Sequence, residues 1–116
     1  MIADEIQVSA LVTDWTTVPA VQTAPGIKRQ MIVGQKMTMC RFTFDPLVVT
    51  PEHTHPHEQM TLIMQGKVKF TIAGEPRILS ASDVLHFPPY NRHGATMLDE
   101  EVVLIDIFSP VREDFL

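Results

Sequence analysis

Between Pro51 and Gly66 the chain reads P-E-H-T-H-P-H-E-Q-M-T-L-I-M-Q-G, and three of its five histidines fall within five residues. On an extended strand alternate side chains share a face, so His53 and His55 point the same way. Two imidazoles at i and i+2 make a pair of adjacent ligands for a first-row divalent metal. Gln59, four residues beyond His55, supplies a third donor if the strand bends or bulges. A fourth must come from elsewhere, and His93, in F-P-P-Y-N-R-H-G, is the best candidate. Three imidazoles and one amide oxygen suit Mn, Fe, Co, Ni or Zn alike. Because the amide is neutral, the full charge of the metal is left for its open positions, which favours a substrate carboxylate or oxyanion. His86 has no partner at ligand spacing and reads as a surface or packed residue. His57 reads the same way, with an alternate-donor role open to it.

A second polar anomaly lies near the C-terminus, where Asp106 interrupts the apolar run E-V-V-L-I-D-I-F. An unpaired buried carboxylate is costly. Asp106 therefore faces water, pairs with Arg41 or Arg112, or lines a wet pocket as a general acid/base beside the metal.

The elements that must carry these groups are short strands. I27-K-R-Q-M-I-V and M37-T-M-C-R-F-T-F alternate around a Gly34-Gln35 turn, and Asp45-Pro46 ends the second. In the latter, Thr38, Cys40, Phe42 and Phe44 share a packing face. Met39 and Arg41 share the other, which faces solvent or a polar cavity and makes them candidate substrate contacts. K67-V-K-F-T-I places Val68, Phe70 and Ile72 inward. Further strands are expected at 60–64, 77–79, 84–87 and 101–108, with a short strand or arm near Gln7–Val12 and a loop over Val18–Gly26. No stretch has sustained helical periodicity, so the expectation is an all-β double-sheet jelly-roll barrel. Residues 1–25 would form an N-terminal arm or edge strand and 26–116 the barrel, all within one domain.

Composition narrows the function. A net charge of -5 argues against nucleic acid, whose phosphates need a basic face. An anionic substrate must then be held by a local cation. Cys40 is the only cysteine, so no internal disulfide can form. The N-terminus lacks a basic region with an apolar core, and no apolar run is long enough to span a bilayer. A soluble cytoplasmic protein is expected. A small barrel with exposed edges tends to pair, so a homodimer is expected as well.

The spacing of His53, His55, Gln59 and Gly66 resembles the first cupin motif at every step. Ser82, Pro88 and His93 resemble the second, with Ser82 where Gly is usual and Met97 where an Asn often follows. Most cupins carry Glu at the position of Gln59. The ending D-I-F-S-P-V-R-E-D-F-L is similar to that of the small single-domain cupins of pectin degradation, and the likeness runs from the Trp15 region to Leu116. Those proteins open the ring of 4,5-unsaturated uronate monosaccharides from pectin or alginate, giving linear keto-uronates. The resemblance implies metal ligation by His53, His55, Gln59 and His93 and a double-stranded β-helix fold. It also implies catalytic roles for Asp106, Phe108 and Arg112: a proton carrier, an apolar wall and a counter-charge for the acid group (a part Arg41 could share). Members often read P-P-N-x-P-H where this chain has P-P-Y-N-R-H, so Tyr90 and Arg92 could reshape the pocket mouth, with Tyr90 a third candidate substrate contact. Two other classes share such a site. An iron dioxygenase would consume oxygen, and a non-catalytic sugar- or metal-binding module would lock Asp106 in a salt bridge outside the cavity.

Overall fold

The computed structural model describes residues 10–116 and builds them from ten antiparallel strands. They are β1 (Val21–Ala24), β2 (Ile27–Val33), β3 (Thr38–Phe44), β4 (Val49–His53) and β5 (Glu58–Gln65), then β6 (Lys67–Ile72), β7 (Glu75–Ser80), β8 (Val84–Phe87), β9 (His93–Met97) and β10 (Val102–Ser109). One sheet has the order β1-β2-β3-β10-β5-β8, and the other β4-β9-β6-β7. The two face each other as a jelly roll. Between them lie Ile63, Val68, Phe70, Phe87, Met97, Val102 and Leu104, all buried.

Alternation decides which side chains reach this interior. In β6, Val68 and Phe70 are buried and both lysines exposed, as expected. In β5, Gln59, Thr61 and Ile63 point in. β10 pairs Asp106 with Thr61 on one side and with Cys40 on the other, so these three polar side chains meet on one inner row.

Three segments depart from the expectations above. The expected loop over Val18–Gly26 contains β1, which pairs with β2 across a turn where Gly26 takes φ +76°. Of the arm expected near Gln7–Val12, the first three residues lie outside the described residues. Ala10–Val12 are exposed with no regular structure. β4 and β9 are additional strands. β4 lies at a sheet edge, where Pro51 removes no needed ladder bond.

Turn residues fit their conformations. Gly66, between β5 and β6, has φ +83°, and a Cβ there would stand 2.5 Å from the Glu101 carbonyl, so only glycine fits. Ser82 adopts φ +80°, the left-handed region that the usual glycine of that motif position would enter without strain. No helix among the described residues is long and apolar enough to cross a membrane.

Candidate metal centre

Four segments converge at one end of the barrel: the close of β4 (His53), the bend after it (His55), the start of β5 (Gln59) and the start of β9 (His93). His53 and His93 are paired across β4 and β9. His55 lies outside any strand, two residues past the end of β4 and just before a bend at Pro56 and His57, so strand alternation does not relate it to His53. They still face each other, with ring centroids 5.7 Å apart. His93 stands 4.7 Å from His53 and 5.2 Å from His55, and ligand atoms of all three fall within 4.8 Å of one another. The bend is braced by the Tyr90 amide, which donates to the His55 carbonyl at 2.8 Å.

All three rings are tied in the same way. His53 Nδ1 lies 3.0 Å from the Pro51 carbonyl, His55 Nδ1 2.9 Å from that of His57, and His93 Nδ1 2.9 Å from that of Asn91. A carbonyl only accepts, so each Nδ1 carries the hydrogen and each Nε2 presents a lone pair. This is the support that metal-ligating histidines ordinarily have. Burial lowers the pKa of His55 and pushes that of His93 down to about 4, so both are neutral near pH 7. Phe87 stacks on His93 with ring centroids 4.2 Å apart, and the Phe108 ring meets His55 edge-on at 5.7 Å.

Gln59 gives the sharpest test of a metal here. Its Nε2 donates to Thr61 Oγ1 at 2.9 Å and to Asp106 Oδ1 at 3.1 Å. Its Oε1 must then face His55 Nε2, at 2.9 Å. Two lone-pair acceptors at that separation repel unless a cation lies between them. Ligand atoms at about 2.1 Å from a shared metal and at right angles would be about 3.0 Å apart. The donor set fits a divalent transition metal.

Asp106 is buried directly beside this group. Besides the Gln59 bond it accepts from Thr61 Oγ1 at 2.5 Å. Burial pushes its pKa up to about 6 against the opposing pull of Thr61, Gln59 and Arg112. Among the described residues it makes no ion pair. Arg112 is held in two contacts by Asp114, at 3.0 and 2.7 Å, and Arg41 donates to Gln30 Oε1 at 2.9 Å. The salt-bridge reading of Asp106 is therefore replaced by a carboxylate that faces the cavity.

That cavity is about 260 Å³. His53, Gln59, His93, Asp106 and Arg112 form its polar pole, and Phe42, Phe44, Phe70, Met97 and Leu104 its apolar wall. Met97 is the far-wall residue that stands in the usual Asn position. Arg112 is buried, its guanidinium 4.6 Å from the Phe108 ring centre and 3.9 Å from that of Phe115. Asp114, in turn, is held down to about 2 by the arginine. His57 is buried, with its Nε2 3.4 Å from Glu113, and His86 is exposed against Glu58 at 2.6 Å. His57, Glu113 and Asp114 also approach one another within 4.8 Å, but both acids are exposed and Asp114 is already committed to Arg112.

Three expected substrate contacts are not cavity residues. Arg41 and Met39 pair with Ile105 and Ile107 of β10, on the face opposite Asp106, so period-two alternation carries them outside the barrel. Tyr90 braces the His55 bend through its backbone, while its side chain is 69% exposed and lies off the cavity walls. Phe115 is the cavity residue missed in their place, and Thr61 and Arg29 were missed behind the wall, against Asp106 and Phe115. Arg29 lies 4.5 Å from the Phe115 ring centre and donates to the Phe115 carbonyl at 3.4 Å. Its face was legible, since it alternates with Ile27 and Met31. Thr61 and Phe115 carry no signal of their own.

Comparison with known proteins agrees with this geometry. The profile of the cupin domain matches residues 40–108. The chain is 37% identical over 93 residues to the pectin degradation protein KdgF of Dickeya dadantii (strain 3937), spanning 78% of this chain and 84% of that one. It superposes on the structure of KdgF from Halomonas sp. with a TM-score of 0.88 at 29% identity, covering 93% of this chain and all of the other. It superposes on an RmlC-like cupin from Shewanella frigidimarina NCIMB 400 with a TM-score of 0.86, again at 29% identity, covering 96% and 100% of the two chains.

Proposed function

Since the chain belongs to the cupin domain family, and within it to the family of the pectin degradation protein KdgF, we propose that it opens 4,5-unsaturated uronate monosaccharides to linear keto-uronates. The observation that carries this reading is the bonding of Asp106 to a neutral ligand set, in a cavity whose one buried cation is Arg112. A divalent metal held by His53, His55, Gln59 and His93 supplies positive charge that steadies an oxyanion.

The chain's own groups have the following tasks. Arg112, stacked between Phe108 and Phe115, counters the substrate carboxylate that the net charge of the protein would otherwise repel. Asp106, ionised, takes the proton of the anomeric hydroxyl as the bond from C1 to the ring oxygen breaks. C1 becomes an aldehyde, and the ring oxygen leaves with the bonding pair as an enolate oxygen on C5. Return of the proton to C4 gives the keto form. One proton leaves oxygen and one reaches carbon, so the reaction is an isomerisation that needs no redox partner. Phe108 walls the site against water.

The test follows the absorbance of an unsaturated uronate made with a pectate or alginate lyase. The absorbance is expected to fall faster with protein, and the acceleration to vanish with chelator and return with added metal. No acceleration by fully metal-loaded protein would overturn the reading.

We further propose that the protein is a cytoplasmic homodimer, paired through the outer face of its six-stranded sheet. Ile32, Met39, Ile107 and Met60 lie in register across four strands there, with Leu62 and Val84 alongside. Met60 is 48% and Val84 65% exposed. A twofold contact would cover this row on both copies at once. The wild type is expected to elute with dimeric mass by light scattering, and Met60→Lys with Ile107→Lys as a monomer. A monomeric wild type would rule the pairing out.

A further inference from the structure

Thr61 is fully buried in β5 and faces the site, yet it touches neither the cavity nor the three imidazoles. Its hydroxyl has two neighbours, Gln59 Nε2 at 2.9 Å and Asp106 Oδ1 at 2.5 Å. We infer that Thr61 is a positioning residue, the hydroxyl that makes Gln59 present oxygen rather than nitrogen to the metal and holds Asp106 in the same hydrogen-bonded unit. This rests on the metal reading above.

The directions of the bonds leave one arrangement. A carboxylate oxygen only accepts, so the single Thr61 hydrogen goes to Asp106, and the lone pair left on the hydroxyl takes an N–H of Gln59. The same amide nitrogen also donates to that carboxylate oxygen, at 3.1 Å. With the nitrogen engaged on this side by two acceptors, Oε1 is turned to His55. A methyl in place of the hydroxyl would leave Gln59 one partner and free the amide to rotate. Strand register sets the group: Thr61 lies opposite Asp106, and Gln59 opposite Phe108, between β5 and β10.

The experiment loads wild type, Thr61→Val and Thr61→Ser with Co(II), measures affinity by competition with a chromogenic chelator, and records the visible d–d bands. Thr61→Val, which keeps the shape, is expected to weaken Co(II) binding by about 10–100-fold and to alter the bands. Thr61→Ser is expected to restore both. A folded Thr61→Val protein with wild-type affinity and bands would overturn the inference alone. Wild type that binds no Co(II) would overturn the metal reading, and this inference with it. Should Thr61→Val fail to fold, the Gln59 side-chain amide of Zn(II)-loaded wild type, assigned by its loss in Gln59→Glu, decides the matter by NMR. Slow exchange of the amide hydrogen held by Thr61 and Asp106 is expected, and exchange of both hydrogens as fast as that of a free amide would sink the inference.

Discussion

Asp106→Ala is expected to remove roughly 10²–10⁴-fold of the ring-opening rate while the metal content stays at the wild-type level. The split follows from the geometry. Asp106 is not a ligand; without it the three histidines keep their supports and Gln59 keeps one of its two partners, Thr61 at 2.9 Å, so the site still fills when metal is supplied in excess. What is lost is the carrier of the proton. Activity close to wild type in a fully loaded Asp106→Ala protein would remove Asp106 from the mechanism. The pH dependence has a definite sign. With a pKa raised to about 6 by burial, the carboxylate is ionised above that value in the metal-free protein, and a cation beside it pulls the value lower. The rate should therefore fall as acid protonates Asp106, on a limb at or below pH 6. Stability runs in the other sense. The folded protein holds this proton more tightly than the unfolded chain, so the contribution is complete below 3.8 and lost as pH rises through about 6.

Gln59→Glu is expected to keep the metal and still lose activity by about 10²-fold or more. Glutamate is the stronger donor and the usual residue at this position in cupins, so loading should not suffer. The amide, however, also donates to Asp106 at 3.1 Å. A carboxylate there has no hydrogen to give and sets a second negative charge against the first. Like charges at such range hold a proton between them and raise the pKa of Asp106 further. Metal analysis, kcat/KM and a pH–rate profile would be read together, with the acid limb expected to move up. A wild-type rate with an unmoved profile would show that the amide hydrogens do not matter.

The convergence of the candidate ligands was legible because cupin-type spacing compresses them into a short stretch plus one later histidine. The geometry behind that spacing differs from the simple reading, since His55 lies beyond the end of β4 and not on a strand. Barrel class was legible too, from the alternation in β3 and β6. The packing face of β3 was legible as well: Thr38, Cys40 and Phe44 are buried, and Phe42 and Phe44 also wall the cavity. What failed was placing Arg41 and Met39 of the other face at the substrate, because register with β10 turns that face outward. β9 was hidden by Gly94, and of β4 only the part carrying His53 was read as strand, Pro51 concealing its start; both residues weaken a strand signal. Thr61 could not have been picked out, because its meaning comes from Asp106, 45 residues away in the chain.

β10 is the last strand of the chain and yet sits between β3 and β5 near the middle of its sheet. Before Val102 the chain contains the whole β4-β9-β6-β7 sheet but only two separate pieces of the other one, β1–β3 and β5 with β8. The four candidate ligands are all translated by His93, whereas Asp106, Phe108 and Arg112 come after. The polar row of Gln59, Thr61 and Asp106 therefore closes only when the last strand is inserted between the two pieces.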